Sequence, residues 1–234
     1  MRHNAGVTEA RVREIELRRV RIPLVKPFRT ALGVDRERDV LVVRVATESG
    51  EGWGECVAPR EPFYAPEWVG GAHAVIREFL GPLVLAEPIS AATVAARLSR
   101  VKGNPMAKAA LEMAVLDAEL RAEGTSLAPR LGAVNDSVAC GVAVGIADSV
   151  ADLLDEVGGY LDAGYLRVKI KIRPGWDVEP VAAVRKQFGA VPLQVDANGS
   201  YRLADADLLR ALDPFDLLLI EQPLADDDLG AHAG

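Results

Sequence analysis

The chain has 234 residues, half of them hydrophobic, and a formal net charge of −7 from 34 acidic and 27 basic residues. This composition predicts a folded protein with a sizeable core in one or two domains, and the lack of a dense basic stripe argues against nucleic-acid binding. Charged residues interrupt the first 26 positions, and the longest apolar runs are too short for a bilayer, so we expect neither a signal peptide nor a membrane span. Cys56 and Cys140 share no CxxC motif and are expected to be buried free thiols, as in a cytoplasmic protein.

The first part of the chain predicts an antiparallel sheet. Alternating or β-branched apolar runs separated by turn residues are typical of strands. The predicted strands cover residues 15–24, 39–47 and 53–57. Residues 27–33, between the first two runs, are predicted to form a loop.

Helices are predicted to follow this sheet. The pattern becomes helical from Pro66, and the clearest helix begins at Pro105 and has a plausible C-cap at Gly124. Together these elements predict an α+β domain over residues 1–125.

The second part, residues 126–234, opens with a connection over residues 126–137 and then alternates between strands and helices. The predicted strands cover residues 138–146, 165–172, 192–196 and 217–221. The predicted helices cover residues 149–163, with Asp148 as a candidate N-cap, 177–188 and 203–212. This alternation predicts an α/β fold with a parallel sheet, about four βα units or the first half of a TIM-type (β/α)₈ barrel.

Three charged motifs recur at one spacing. They are Lys169-x-Lys171, Asp196-x-Asn198 and the Glu221 of Glu-Gln-Pro, and 25 positions separate Lys171 from Asp196 and Asp196 from Glu221. This step matches the length of one βα unit. Each motif therefore falls near the carboxyl end of a consecutive parallel strand, where barrels of this kind hold their chemistry.

The residue types of these motifs indicate a metal-assisted proton transfer. Alternation along a strand places Lys169 and Lys171 on one face, and a solvated lysine face on an edge strand is the alternative interpretation. Two buried ammonium groups require carboxylates nearby, and Asp196 and Glu221 supply hard oxygen ligands for Mg²⁺ or another divalent cation such as Mn²⁺. Asn198 can add an oxygen or orient a water.

A lysine beside a metal-bound carboxylate suits removal of the proton α to that carboxylate, because the metal stabilises the enediolate that forms. Lys171 must be neutral to act as the base. A second ammonium at Lys169 and a nearby cation both disfavour its protonated form.

The three motifs resemble those of the enolase superfamily, in its muconate-lactonising subgroup, whose members carry KxK, DxN and ExP on successive strands. Residues 27–33, 52–56, 106–114 and 169–177 are similar, more narrowly, to the o-succinylbenzoate synthase and N-acylamino acid racemase family. The resemblance implies a capping domain whose loops around residues 28–33 and 61–66 close over a small-molecule carboxylate. It places Phe28, Arg29 and Thr30 at the substrate or behind the groups that touch it.

The resemblance also implies an activity. This would be dehydration of a cyclohexadiene carboxylate to o-succinylbenzoate in menaquinone synthesis, with N-acylamino acid racemisation as a second activity. Lys171 would be the acid/base, Lys169 its electrostatic partner, and Asp196 and Glu221 metal ligands. A dipeptide epimerase or a muconate cycloisomerase uses the same core and remains an alternative.

The chain departs from this family in length. From Val138 to Gly234 there are 97 residues, enough for four βα repeats where a closed barrel needs eight. The family's third metal-binding acid and second catalytic lysine are therefore expected to be missing, as in a C-terminally truncated member. An inactive fragment or half of a split barrel is a further alternative. Exposed strand edges predict a homo-oligomer or other self-association.

Overall fold

The computed structural model describes residues 9–233, which divide into two units. The first unit covers residues 9–23 and 37–136, and the second covers residues 24–36 and 137–233. The predicted architecture is confirmed: an α+β unit and a parallel α/β unit. The units change at Asp136, and the domain boundary expected between residues 125 and 126 stays a prediction.

The first unit is built on a three-stranded sheet in the order β1-β2-β3. Its strands are β1 (Val12–Thr30), β2 (Gly33–Thr47) and β3 (Glu51–Cys56), and β2 pairs with β3 antiparallel. Leu41, Val43 and Val45 alternate along β2 and are buried, because successive side chains of a strand point to opposite faces. One face of the sheet therefore forms the core with the helices.

Residues 27–33 are not a loop, and that prediction is wrong. They form the end of β1, a turn at Ala31 and Leu32, and the start of β2. Pro27, like Pro23 before it, lies in β1, an edge strand. Proline is tolerated there because its missing N–H can face away from the neighbouring strand.

The helices of the first unit follow the sheet. They are α1 (Val69–Val75), continued by a π-helical turn (Ile76–Leu80), then α2 (Gly81–Leu85), α3 (Ala91–Leu98), α4 (Pro105–Glu123) and α5 (Leu127–Arg130). Helix α4 begins at Pro105 and ends at Gly124, whose φ of 64° is left-handed. The predicted start and C-cap of this helix are therefore confirmed.

Strand β3 lies unusually close to α4. A Cβ added at Gly54 would lie 2.0 Å from the carbonyl oxygen of Ala110, and one at Gly52 would lie 2.2 Å from the carbonyl oxygen of Ala114. These distances are shorter than any tolerable contact, so both positions require glycine. The alanines of α4 at this contact are buried, and their small side chains permit the approach of the two backbones.

The amino end of α4 is capped by a residue far away in the chain. The side chain of Glu67 accepts hydrogen bonds from the backbone N–H of Met106, at 2.7 Å, and of Ala107, at 3.1 Å. Glu67 is itself buried. A carboxylate is favourable here because the first N–H groups of a helix lack partners within it.

We expect Glu67→Gln to lower the free energy of unfolding of the first unit by about 1–2 kcal/mol, because one accepting oxygen is replaced by an amide that donates. Urea denaturation followed by circular dichroism measures the change. Glu55→Gln is the matched control, since Glu55 is exposed. Equal midpoints for Glu67→Gln and the unmodified chain would contradict the capping role.

The second unit holds a four-stranded parallel sheet in the order β4-β5-β6-β7. Its strands are β4 (Val142–Val144), β5 (Val168–Lys171), β6 (Leu193–Asp196) and β7 (Ile220–Glu221). Its helices are α6 (Val150–Asp162), α7 (Val178–Phe188), α8 (Ala206–Arg210), which follows a 3₁₀ turn (Leu203–Asp205), and α9 (Leu229–His232), with a further 3₁₀ turn at Asp213–Phe215. Buried aliphatic side chains of the strands pack against the helices.

The outer strands of this sheet are shorter than predicted. The strand expected over residues 138–146 is reduced to β4, and the side chain of Val138 is 83% exposed. The strand expected over residues 217–221 is reduced to two residues. A strand at the edge of a sheet pairs on one side only, so an apolar run there extends beyond the hydrogen-bonded ladder.

Two other local predictions change in the second unit. The helix expected over residues 203–212 is divided into a 3₁₀ turn and the short α8. The N-cap of α6 is Ser149, whose hydroxyl accepts a hydrogen bond from the N–H of Asp152. The prediction that Asp148 caps this helix is therefore wrong.

The compositional predictions concerned the length of apolar helices and the state of the two cysteines. Among the described residues no helix is long and apolar enough to cross a membrane. Both cysteines are free thiols, but only Cys56 is buried, and Cys140 is exposed. The prediction that both are buried is thus wrong for Cys140.

We expect the 234-residue chain to self-associate, because among the described strands none pairs with the outer edge of β4 or β7. Sedimentation velocity at increasing concentration should show growing oligomers. Leu219→Lys, beside the edge of β7, should reduce this association, whereas Leu229→Lys on α9 should not. A monodisperse monomer that unfolds cooperatively would rule the prediction out.

Candidate active site

The charged motifs meet in one row at the carboxyl ends of three strands. Lys171 ends β5, Asp196 ends β6 and Glu221 ends β7. In the parallel register Lys171 lies beside Asp196, and Asp196 lies beside Glu221. The 25-residue step thus places each motif in register with the next.

Hydrogen bonds connect the side chains of this row. The ammonium Nζ of Lys171 donates to Asp196 Oδ2 at 2.7 Å and to Asn198 Oδ1 at 2.8 Å. The ammonium of Lys169 donates to Glu221 Oε2 at 2.8 Å and lies 3.2 Å from Asp196 Oδ2. Two cations and two anions are therefore paired, and the buried charges balance.

Burial and neighbouring charges shift the pKa values of Asp196 and Lys169 in opposite directions. Asp196 is 1% exposed and Lys171 8% exposed, whereas the Glu221 side chain is 43% exposed. Burial alone would raise the pKa of Asp196, but hydrogen bonds and charge from Lys171 and Lys169 hold that pKa below its usual value. Burial alone would lower the pKa of Lys169, but the carboxylates of Glu221 and Asp196 outweigh it and raise that pKa. Lys169 therefore stays positively charged.

The backbone after β6 and β7 is held in uncommon conformations. Asn198 has a φ of 47° and Gln222 a φ of 43°, both left-handed. The N–H of Asn198 donates to Asp196 Oδ1 at 3.1 Å, and the N–H of Gly199 donates to the carbonyl of Gln222 at 2.7 Å. Left-handed non-glycine residues cluster where function requires a particular geometry. The Asp-x-Asn turn thereby directs the amide oxygen of Asn198 at the amine of Lys171.

The predicted residues of β1 reach this site to different extents. The ring of Phe28 lies 6.0 Å from Lys171 Nζ, and Arg29 forms a 2.6 Å ion pair with Asp148. The hydroxyl of Thr30 accepts from the N–H of Leu32 at 3.1 Å, which stabilises the turn between β1 and β2. The structure thus brings Phe28 to the lysine and gives Arg29 and Thr30 local contacts. A role toward substrate stays a prediction for all three.

Tyr201 and Asp177 form a hydrogen-bonded pair that the sequence motifs do not predict. The phenol of Tyr201, which is buried after β6, donates to Asp177 Oδ2 at 3.0 Å, and Asp177 also accepts from the N–H of Val178 at the start of α7. Burial and the charge of Asp177 raise the pKa of Tyr201, so the phenol keeps its proton. A lone tyrosine and a lone aspartate 24 positions apart carry no recognisable spacing, so only the fold reveals the pair.

A cavity of about 320 Å³ adjoins the row. Its walls come from the strands and their approaches: Gly141, Val142, Ala143, Arg167, Lys169, Gln194 and Glu221. Its volume lies near the lower limit for small-molecule sites, and of the four charged residues in the motifs only Lys169 and Glu221 line it.

The donor set is suited to a hard divalent cation. Asp196 Oδ2 and Glu221 Oε2 already converge on one cation, the ammonium of Lys169. Among residues 9–233 no group of three or more His, Cys, Asp or Glu side chains could hold a metal ion. Mg²⁺ is often held by one or two carboxylates, with waters and substrate oxygens as its other ligands. Asp196 and Glu221 therefore fit Mg²⁺ as a pair.

We expect this chain to bind Mg²⁺ weakly, with a dissociation constant well above the micromolar range, because two carboxylates supply little charge and already pair with lysines. Lys169→Met should strengthen binding, since it frees both carboxylates from an internal cation. Titration calorimetry measures both affinities, with Lys186→Met on the exposed end of α7 as the matched control. Micromolar binding by the unmodified chain would contradict the prediction.

Two family descriptions match the chain. Residues 12–132 match "Mandelate racemase / muconate lactonizing enzyme, N-terminal domain", and residues 152–234 match "Enolase C-terminal domain-like". The chain therefore belongs to the mandelate racemase and muconate lactonizing enzyme family of the enolase superfamily. The resemblance inferred from the three charged motifs is thereby confirmed.

Individual proteins with known names are similar to this chain over most of its length. Over 221 residues the chain is 59% identical to an N-succinylamino acid racemase of Amycolatopsis sp. The alignment covers 94% of the chain and 60% of the relative. The chain is 45% identical over 219 residues to an o-succinylbenzoate synthase of Geobacillus stearothermophilus. That alignment covers 93% of the chain and 58% of the relative. An enolase superfamily member from Listeria innocua superposes with a TM-score of 0.90 at 38% identity, over 96% of the chain and 61% of that structure. The chain thus spans about 60% of the length of the curated relatives it matches.

Proposed function

We propose that the whole protein containing this chain removes the proton α to a carboxylate, in an o-succinylbenzoate synthase reaction. N-acylamino acid racemisation is proposed as a second activity of the same site. The observation that carries the proposal is the row of Lys171, Asp196 and Glu221 with Lys169 beside it. The names of the relatives support both activities, since one is a racemase and the other a synthase.

In this proposal Lys171 moves the proton. Lys171 is 8% exposed and its amine is oriented by Asp196 and Asn198, so it can face a substrate carbon while little water competes for it. Racemisation requires that a proton leave one face of the α-carbon and return to the other. Lys171 would serve one face.

Lys169 is proposed to act through its charge. The carboxylates of Glu221 and Asp196 raise its pKa, so it remains an ammonium while Lys171 exchanges protons. A fixed positive charge 3.2 Å from Asp196 can stabilise negative charge that develops on a substrate carboxylate nearby.

Asp196 and Glu221 are proposed to hold Mg²⁺, on which enolase superfamily enzymes generally depend. Bound there, the ion would supply positive charge that offsets the enediolate and disfavours the protonated form of a neighbouring lysine. The substrate is then a small carboxylate, and a cytoplasmic location and a homo-oligomer complete the proposal.

Proton exchange tests the proposal directly. The whole protein is incubated with Mg²⁺ and an N-succinylamino acid in D₂O, and loss of the α-proton signal is followed by NMR. Formation of o-succinylbenzoate from its cyclohexadiene precursor is followed by ultraviolet absorbance. We expect both reactions, and neither with Lys171→Ala. A protein that folds and binds Mg²⁺ but shows neither reaction would overturn the proposal in favour of a non-catalytic role.

A further inference from the structure

The end of β1 contacts the segment that directly follows β4. The carbonyl of Arg29, near the end of β1, accepts a hydrogen bond at 2.8 Å from the N–H of Ile146, just after β4. The guanidinium of Arg29 pairs with Asp148, and the ammonium of Lys26 pairs with Glu156. All of these residues belong to the second unit.

Gly145 makes this docking sterically possible. A Cβ at this position would lie 3.0 Å from the carbonyl oxygen of Arg29, 3.2 Å from its nitrogen and 3.5 Å from Phe28 Cδ2. The two nearest atoms are backbone atoms, which cannot turn aside as a side chain could. A side chain at this position would therefore push the Arg29 backbone away by a few tenths of an ångström.

The docked backbone determines where Phe28 lies. Phe28 directly precedes Arg29, and its ring centroid is 6.0 Å from the amine of Lys171. An aromatic ring there excludes water from one side of a group that is only 8% exposed. A shift of the Arg29 backbone by a few tenths of an ångström would move the ring with it.

We propose that Gly145 and Asp148 are positioning residues that hold Phe28 over the amine of Lys171. Gly145 supplies the space for the Arg29 backbone, and Asp148 restrains its guanidinium. The ion pair is the weaker contribution, because the Asp148 side chain is 82% exposed and such pairs are screened by water. Naming Lys171 the base rests on the proposed function, but the placement of Phe28 does not.

Chemical labelling tests the placement without any need for turnover. The chain is treated briefly with an amine-acylating reagent, and mass spectrometry gives the acylation rate of Lys171. Hydrogen exchange of the Ile146 amide is measured on the same samples. We expect Gly145→Ala to raise the Lys171 rate about tenfold and to speed exchange at Ile146. Gly158→Ala is the matched control, because a Cβ there meets only the ring of Phe188, at 3.7 Å, among the described residues.

Two further variants separate the ring from its docking. Phe28→Ala should raise acylation of Lys171 as Gly145→Ala does, while exchange at Ile146 stays slow. Asp148→Asn should raise acylation about twofold, and Asp148→Glu, which keeps the carboxylate, should restore the original rate. This rescue would not be expected of a residue that acts only on overall stability.

The outcomes are decisive in each case. Faster exchange at Ile146 with unchanged acylation of Lys171 in Gly145→Ala would overturn the proposal. If Gly145→Ala fails to fold, an Asp148→Asn variant that folds and shows unchanged acylation would overturn it. If labelling behaves as expected while the whole protein catalyses no proton exchange, the positioning holds and the proposed function fails.

Discussion

Lys171→Ala in the whole protein should lower the rate of α-proton exchange by at least about 10²-fold, because it removes the amine proposed to take the proton. The loss can exceed about 10⁴-fold, since the amine is buried and water has little access to replace it. NMR of an N-succinylamino acid in D₂O measures the exchange. The fold should survive, because alanine leaves β5 and its backbone pairing intact.

Lys169→Ala is the informative comparison for this experiment. It should lower the rate less, because Lys169 is proposed to act through its charge rather than by accepting the proton. If Lys169→Ala abolished exchange while Lys171→Ala retained most of it, the assignment of base and partner would be reversed.

Gly54→Ala should destabilise the first unit by more than about 3 kcal/mol, beyond the usual effect of overpacking. The added methyl would lie 2.0 Å from the carbonyl oxygen of Ala110 and 3.0 Å from the nitrogen of Ala114, so β3 and α4 would have to separate. Both neighbours are backbone atoms of a long helix, which cannot yield locally. Thermal unfolding followed by circular dichroism should show a much lower transition or none.

Gly159→Ala is the control for the substitution itself. Gly159 lies in α6, and a Cβ there would meet no atom of the described residues within 4 Å. Alanine should therefore stabilise the helix by up to about 1 kcal/mol, because glycine loses more conformational entropy on folding. Equal melting temperatures for Gly54→Ala and the unmodified chain would contradict the close packing of β3 on α4.

Much of the site was predictable because its signal is local and periodic. Each motif ends one strand, and one βα unit separates it from the next, so the register of a parallel sheet places Lys171, Asp196 and Glu221 side by side. The ends of the outer strands were less predictable. An apolar run indicates that a strand forms, but the extent of pairing depends on whether a neighbour lies alongside it.

The sequence by itself determined the α+β and parallel α/β parts of the chain, the order of their elements and the row of two lysines and two acids. These follow from side-chain periodicity and from spacing, which are properties of the chain alone. Only the tertiary structure decided that Gly54 packs on Ala110, that Glu67 caps α4 and that Gly145 lets Phe28 approach Lys171. Those contacts join residues that are tens of positions or more apart, and their free energy depends on distances that arise only when the elements pack together.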